Sequence, residues 1–104
     1  MTGPKSKIVY SNGATYSGET FEGKKQGRGL LQFKDGSKYE GPFKDDQQDG
    51  QGEETWMKPN GEFLEKYKGE FKNGKRHGKG QVFLPGKKKA VKVVYNEGNL
   101  ITDK

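Results

Sequence analysis

The chain has 104 residues, no cysteine, 17 glycines and a formal net charge of +6; 27% of it is hydrophobic and 33% charged. Those figures bound it to one domain at most, with a thin core, and exclude disulfides and thiolate chemistry. Its five tyrosines, six phenylalanines and single tryptophan are regularly spaced, which argues against a disordered chain.

The opening stretch MTGPKSKIVY has no signal-peptide apolar core, and Thr2 follows Met1 where myristoylation requires glycine. No apolar run approaches the roughly 18 residues of a membrane span. The next segment, IVYSNGATY, aligns with LQFKDGSKY: Tyr10 with Phe33, Gly13 with Gly36, Tyr16 with Tyr39. The chain therefore starts on the second half of a repeated unit.

Three fuller copies follow. YSGETFEGKKQGRG begins at Tyr16, YEGPFKDDQQDGQG at Tyr39 and YKGEFKNGKRHGKG at Tyr67. Each reads Tyr-x-Gly-x-aromatic, then a turn, then a Gly-x-Gly pair. In the first copy the aromatic, Phe21, comes one residue late, which predicts a bulge or an altered ring there. In the second, Asp46 replaces a turn glycine. An insertion of five lies between Gly52 and Tyr67, and MKPNGEFLEK is expected to be a lengthened connection. At the far end, VKVVYNEG fits YKGEFKNG with Val91 and Val93 for Tyr and Gly, as suits a capping strand with no further neighbour.

Within each copy the alternation has period two. Tyr67, Gly69 and Phe71 share one face with Gly80, Val82 and Leu84 of the return segment; Lys68, Glu70 and Lys72 point the other way. The pattern predicts strand, turn, strand throughout: an all-β antiparallel meander of about nine strands, with no helical periodicity. The expected divisions are an extension over 1–6, a repeat domain over 7–98 and a tail over 99–104. Inside the domain fall a half repeat 7–15, repeats 16–38, 39–66 and 67–90, and a degenerate capping unit 91–98.

The string YKGEFKNGKRHGKG resembles the consensus of the MORN repeat (membrane occupation and recognition nexus), and the 23-residue step from Tyr16 to Tyr39 matches it too. The resemblance covers roughly residues 7–98. It implies an elongated, single-layer sheet of successive hairpins. It also implies a non-catalytic scaffold, with a cytoplasmic, cytoskeletal or ciliary setting such as an axoneme or flagellum, since family members occur in cilia, in parasite cytoskeletons and at membrane junctions.

Candidates for chemistry are few. His77 is the only histidine, and with no second histidine or cysteine it lacks the partners that metal binding or acid–base work requires. DDQQDG, residues 45–50, suggests a calcium loop, but its acids fall at positions one, two and five, and position twelve is Trp56. GKRHGKG lacks the spacing, the hydroxyl and the following helix of a phosphate loop. No cofactor and no metal is implied, and the chain reads as no enzyme.

Two binding surfaces are written instead. The first is an aromatic–glycine trough for a helix or peptide of a larger assembly: Tyr16, Gly18, Tyr39, Gly41, Phe43, Trp56, Tyr67, Gly69, Phe71 and Gly80. The same rings, with Phe33, would also suit an aromatic cage, but the stronger reading makes them the core, since every small hairpin needs its own ring. The second is a basic set facing anionic phospholipid headgroups: Lys24, Lys25, Arg28, Lys75, Arg76, Lys79 and Lys87, Lys88, Lys89. Its charge is segmented: residues 1–44 hold 8 Lys/Arg against 4 Asp/Glu, 45–65 hold 1 against 7, and 66–104 hold 11 against 3. That pattern excludes the smooth positive groove expected for nucleic acid. The half-repeat ends leave end-to-end self-association open.

Overall fold

The computed structural model describes residues 5–103 and forms one open antiparallel sheet. Its strands are β1 (Lys5–Val9), β2 (Thr15–Phe21), β3 (Lys24–Gln32), β4 (Lys38–Lys44), β5 (Gln47–Gln48), β6 (Gly50–Met57), β7 (Phe63–Lys72), β8 (Lys75–Phe83), β9 (Val91–Asn96) and β10 (Asn99–Asp103). Nine follow one another across the sheet in chain order; the two-residue β5 pairs with β4 off this path. There is no helix among the described residues. The all-β hairpin meander expected from the period-two alternation is what the chain forms.

The sheet has two kinds of turn, one at each end. At the narrow tips, two consecutive residues take positive φ: Glu22 and Gly23, Asp45 and Asp46, Asn73 and Gly74, Glu97 and Gly98. Two left-handed residues in a row match the right-handed twist of the flanking strands. Asp46 holds φ at 71° without being glycine, and its carboxylate compensates. Its Oδ1 accepts the Lys25 backbone N–H at 2.7 Å and lies 3.4 Å from the Lys25 ammonium. Each later tip also donates to the hairpin before it: Asp46 N–H to the Lys25 carbonyl, Gly74 N–H to that of Gln48, Gly98 N–H to that of Arg76, at 2.8–2.9 Å.

Three of the four wide connections at the opposite end share one design. Asn12, Asp35 and Asn60 each accept, through the side chain, the N–H two residues on, at 2.9, 2.8 and 3.0 Å. This is the local hydrogen bond that makes Asn and Asp turn formers. The third connection, between Lys58 and Glu62, closes with the same backbone pair as the one between Phe33 and Ser37. The five inserted residues therefore do not lengthen the connection, as the sequence suggested. They lengthen β6 and β7, which stay paired out to Met57 and Phe63 across a bulge.

The sheet also runs beyond the expected repeat domain. β1 begins at Lys5, inside the presumed extension, and the presumed tail forms β10. β9 is consequently not terminal: its Val93 pairs with Gly80 on one side and Asp103 on the other. Valine fits at this glycine position because Val91 replaces the tyrosine whose ring would otherwise lie over it.

Candidate functional site

Tyr16, Tyr39 and Tyr67 are 0% exposed. Each ring lies flat across the glycines of its own hairpin, and each hydroxyl donates to the carbonyl three residues on: Glu19, Pro42 and Glu70, at 2.6, 2.8 and 3.1 Å. The space left by the absent side chains is filled by the ring. A Cβ at Gly29 would overlap Tyr16, one at Gly52 would overlap Tyr39, and one at Gly80 would overlap Tyr67. Burial of the phenols lifts their ionisation, to about 12 for Tyr16 and Tyr67 and higher still for Tyr39.

The rings also link the repeats. Phe43 sits edge-on between Tyr16 and Tyr39, at 5.3 and 5.1 Å between centroids. Phe71 does the same between Tyr39 and Tyr67, at 5.0 and 5.3 Å. Tyr95 closes the series against Tyr67 at 5.5 Å. Edge-to-face contact is the favoured geometry for such pairs. Phe21 has no tyrosine before it to meet, so its shift by one residue carries it outward, 49% exposed. The bulge beside it, between Gly18 and Thr20, recurs between Gly69 and Phe71 and is a feature of the repeat, not of the displaced ring.

A tyrosine laid over two glycines, docked edge-on to the aromatic of the next hairpin, and stepped along the chain is a repeat defined by its own packing. The MORN repeat family model matches residues 16–38, 39–58 and 67–82. The chain belongs to the MORN-repeat family. MORN repeats are protein- and lipid-interaction modules and are generally non-enzymatic.

This packing corrects the expected trough. Of its proposed lining, Tyr16, Gly18, Tyr39, Gly41, Phe43, Tyr67, Gly69 and Phe71 are buried and Gly80 is half-buried; Trp56 alone is exposed. The floor over Gly69 and Gly80 holds the Tyr67 ring, leaving no room for a partner. Trp56 offers surface instead. Trp56 stacks on Phe33, with centroids 6.2 Å apart and planes 13° from parallel.

The basic set is likewise divided. Lys25 folds over the rings of Tyr10, Tyr16 and Phe43 and bonds the Tyr10 hydroxyl at 3.2 Å. Arg76 occupies the same place in the third repeat, over Tyr67 and Tyr95. Its Nε and Nη2 reach Glu54 at 2.9 Å and Glu65 at 2.7 Å, and Nη1 donates to the Tyr95 hydroxyl at 2.8 Å. Burial works against its charge, but the bonds to Glu65 and Glu54 prevail and raise its pKa further. Both side chains are thus committed to the sheet. Of the others, Lys24 and Lys75 flank the narrow tips, Arg28 and Lys79 lie on the face opposite the rings, and Lys87–Lys89 fill a wide connection at the other end of strands nine residues long. They do not converge on one patch.

His77 serves the fold: its Nδ1 accepts the Glu97 N–H at 3.1 Å, and Gln26, its counterpart, accepts the Asp45 N–H at 3.0 Å. No group of three metal-ligating side chains forms among the described residues, the DDQQDG tip included. Sequence reasoning missed the Arg76–Glu54–Glu65 network. Its signal was available, since an arginine and two glutamates fall at ring-face positions of an otherwise apolar and glycine register.

Proposed function

We propose that this protein is a structural interaction module, a scaffold subunit that binds proteins of a larger assembly and carries out no catalysis. The observation that carries this is the interlocked single layer. Each later tip is hydrogen-bonded to the hairpin before it, and one line of edge-on rings runs from Tyr16 to Tyr95. Such a layer presents two broad faces to partners. The setting that fits the resemblance is a cytoskeletal assembly, a cilium or flagellum among them.

The test is affinity purification from the native cell at moderate salt, with the bound proteins identified. Recovery of a reproducible set of structural proteins supports the reading. Recovery of none, alongside tight binding to phosphoinositide vesicles, replaces it with the lipid alternative. For that alternative the remaining contacts are Lys24, Arg28, Lys75, Lys79 and Lys87–Lys89, with Lys25 and Arg76 withdrawn into the sheet.

A further inference from the structure

We propose that the wide-connection end of the sheet is a docking site for an acidic peptide segment of a partner protein; the inference rests on the interaction-module reading above. The topology gathers there what the sequence scatters. Lys34, Lys58 and Lys87–Lys89 lie in separate connections, all exposed. Among the described residues two carboxylates in those connections oppose them, and both are engaged: Asp35 accepts the Ser37 N–H at 2.8 Å, and Glu62 faces Lys58 at 3.7 Å. Lys87, Lys88 and Lys89 form no ion pair among the described residues. At the narrow tips, by contrast, the lysines are interspersed with Glu22, Asp45, Asp46 and Glu97. The protein therefore has one positive end, a feature that steers and orients a negatively charged partner.

An apolar anchor stands beside that charge. Trp56, 37% exposed and stacked on Phe33, lies near the same end of the ring-bearing face. Exposed tryptophans backed by a second ring are favoured anchors of protein contacts. The lysine loop joins β8 to β9, two to three strands from β6. At about 4.8 Å per strand that is roughly 10–15 Å from Trp56, a gap crossed by about three to five residues of extended chain. The complementary segment thus carries one apolar side chain for Trp56 and Phe33, then acidic residues at that spacing for Lys87–Lys89.

A chain fits this arrangement better than a bilayer does. The indole N–H is not aimed off the end of the sheet; it donates to Glu54 Oε1 at 3.2 Å, laying the ring along the face. The ring thus belongs to the face of the sheet and the lysine loop to its end. A flexible segment turns that corner, whereas a flat anionic membrane meets the loop without the ring.

Trp56 is the only tryptophan, so its fluorescence reports the site directly. The probe is a tryptophan-free synthetic peptide with one leucine four residues from a run of glutamates, titrated at low salt. The expected result is a saturable blue shift that weakens as salt rises. Lys87–Lys89→Glu should weaken binding roughly tenfold, from three exposed pairs reversed, with Lys88→Glu intermediate. Reversing Lys24 and Lys75 at the other end should leave binding unchanged. An emission that never shifts with peptide, equal binding by the Lys87–Lys89→Glu protein, or a shift with phosphatidylserine vesicles alone overturns the proposal. Any of these leaves the module reading to its own test, the recovery of partners by the wild-type chain.

Discussion

The ring of Tyr67 lies so close over Gly80 that a Cβ on that glycine would stand only 2.4 Å from the ring, while the same tyrosine's hydroxyl reaches the Glu70 carbonyl at 3.1 Å. Tyr16 and Tyr39 repeat the relationship with Gly29 and Gly52. One tyrosine per hairpin thus substitutes for a second layer of the domain: it covers the backbone that glycine exposes and is fixed by a hydrogen bond at its far end.

Gly80→Ala should accordingly cost about 3 kcal/mol, the upper range for overpacking a site without slack. Gly69→Leu should unfold the domain outright, since even a Cβ there would stand 2.6 Å from the Gly80 Cα. Gly23→Ala, at a tip with φ of 80° and open space around it, should cost about 1 kcal/mol for the left-handed backbone alone. Melting temperatures of the three variants check the order; a folded Gly69→Leu protein contradicts the packing.

Phe71→Ala removes the ring that joins the second repeat to the third and should cost roughly 3–5 kcal/mol. Phe21→Ala, at the displaced position, should stay within about 0.5 kcal/mol of wild type, as exposed substitutions do. Urea unfolding of the pair measures the difference, and equal midpoints would show that the ring series does not hold the repeats together.

Arg76→Met leaves Glu54 and Glu65 facing each other without their shared cation and strips the cover from Tyr67 and Tyr95. Both carboxylates are only partly exposed, so the loss should be about 2–3 kcal/mol, below that of a fully buried pair. Arg76→Lys should recover less than half of it, because an ammonium cannot form the fork that reaches Glu54, Glu65 and the Tyr95 hydroxyl together. Chemical denaturation at fixed salt reads both changes.

Gln48 stands at the position that Lys25 and Arg76 fill in the neighbouring modules, yet its buried Oε1 has no hydrogen-bond partner among the described residues. Replacing it with methionine removes the unsatisfied acceptor while keeping the volume. A gain of about 1 kcal/mol is expected, and a lower melting temperature would mean that the amide is satisfied in solution.

Stability should fall at alkaline pH through the buried phenols. Tyr16 and Tyr67 ionise near 12 in the folded chain, against 10 for a free phenol, because burial disfavours the anion. Their raised values mean that the contribution is complete below pH 10 and is lost as pH climbs from 10 through 12, where the unfolded chain releases protons that the native one retains. A tyrosinate absorbance titration should show Tyr16, Tyr39 and Tyr67 lagging the unfolded chain. A titration identical to that of denatured protein would place these phenols in water.

The repeat, the strand–turn–strand alternation, the face of each residue and the family are all legible in the residues alone. Each is a local property: it follows from a period of two, from turn residues at fixed offsets or from the Tyr-x-Gly-x-aromatic string. What the glycines are for needed the folded chain. Spacing tells that Gly69 and Gly80 share a face with Tyr67, but whether their missing side chains admit a partner or the tyrosine depends on where the ring swings, and burial of the phenol over its own backbone prevails. The same holds for charge. Lys25 and Arg76 look like any surface cations in the sequence, and Lys34, Lys58 and Lys87–Lys89 are far apart along it. Strand register puts the first two over aromatic faces, where their charge stabilises the sheet, and brings the others together at one end, where it faces solvent.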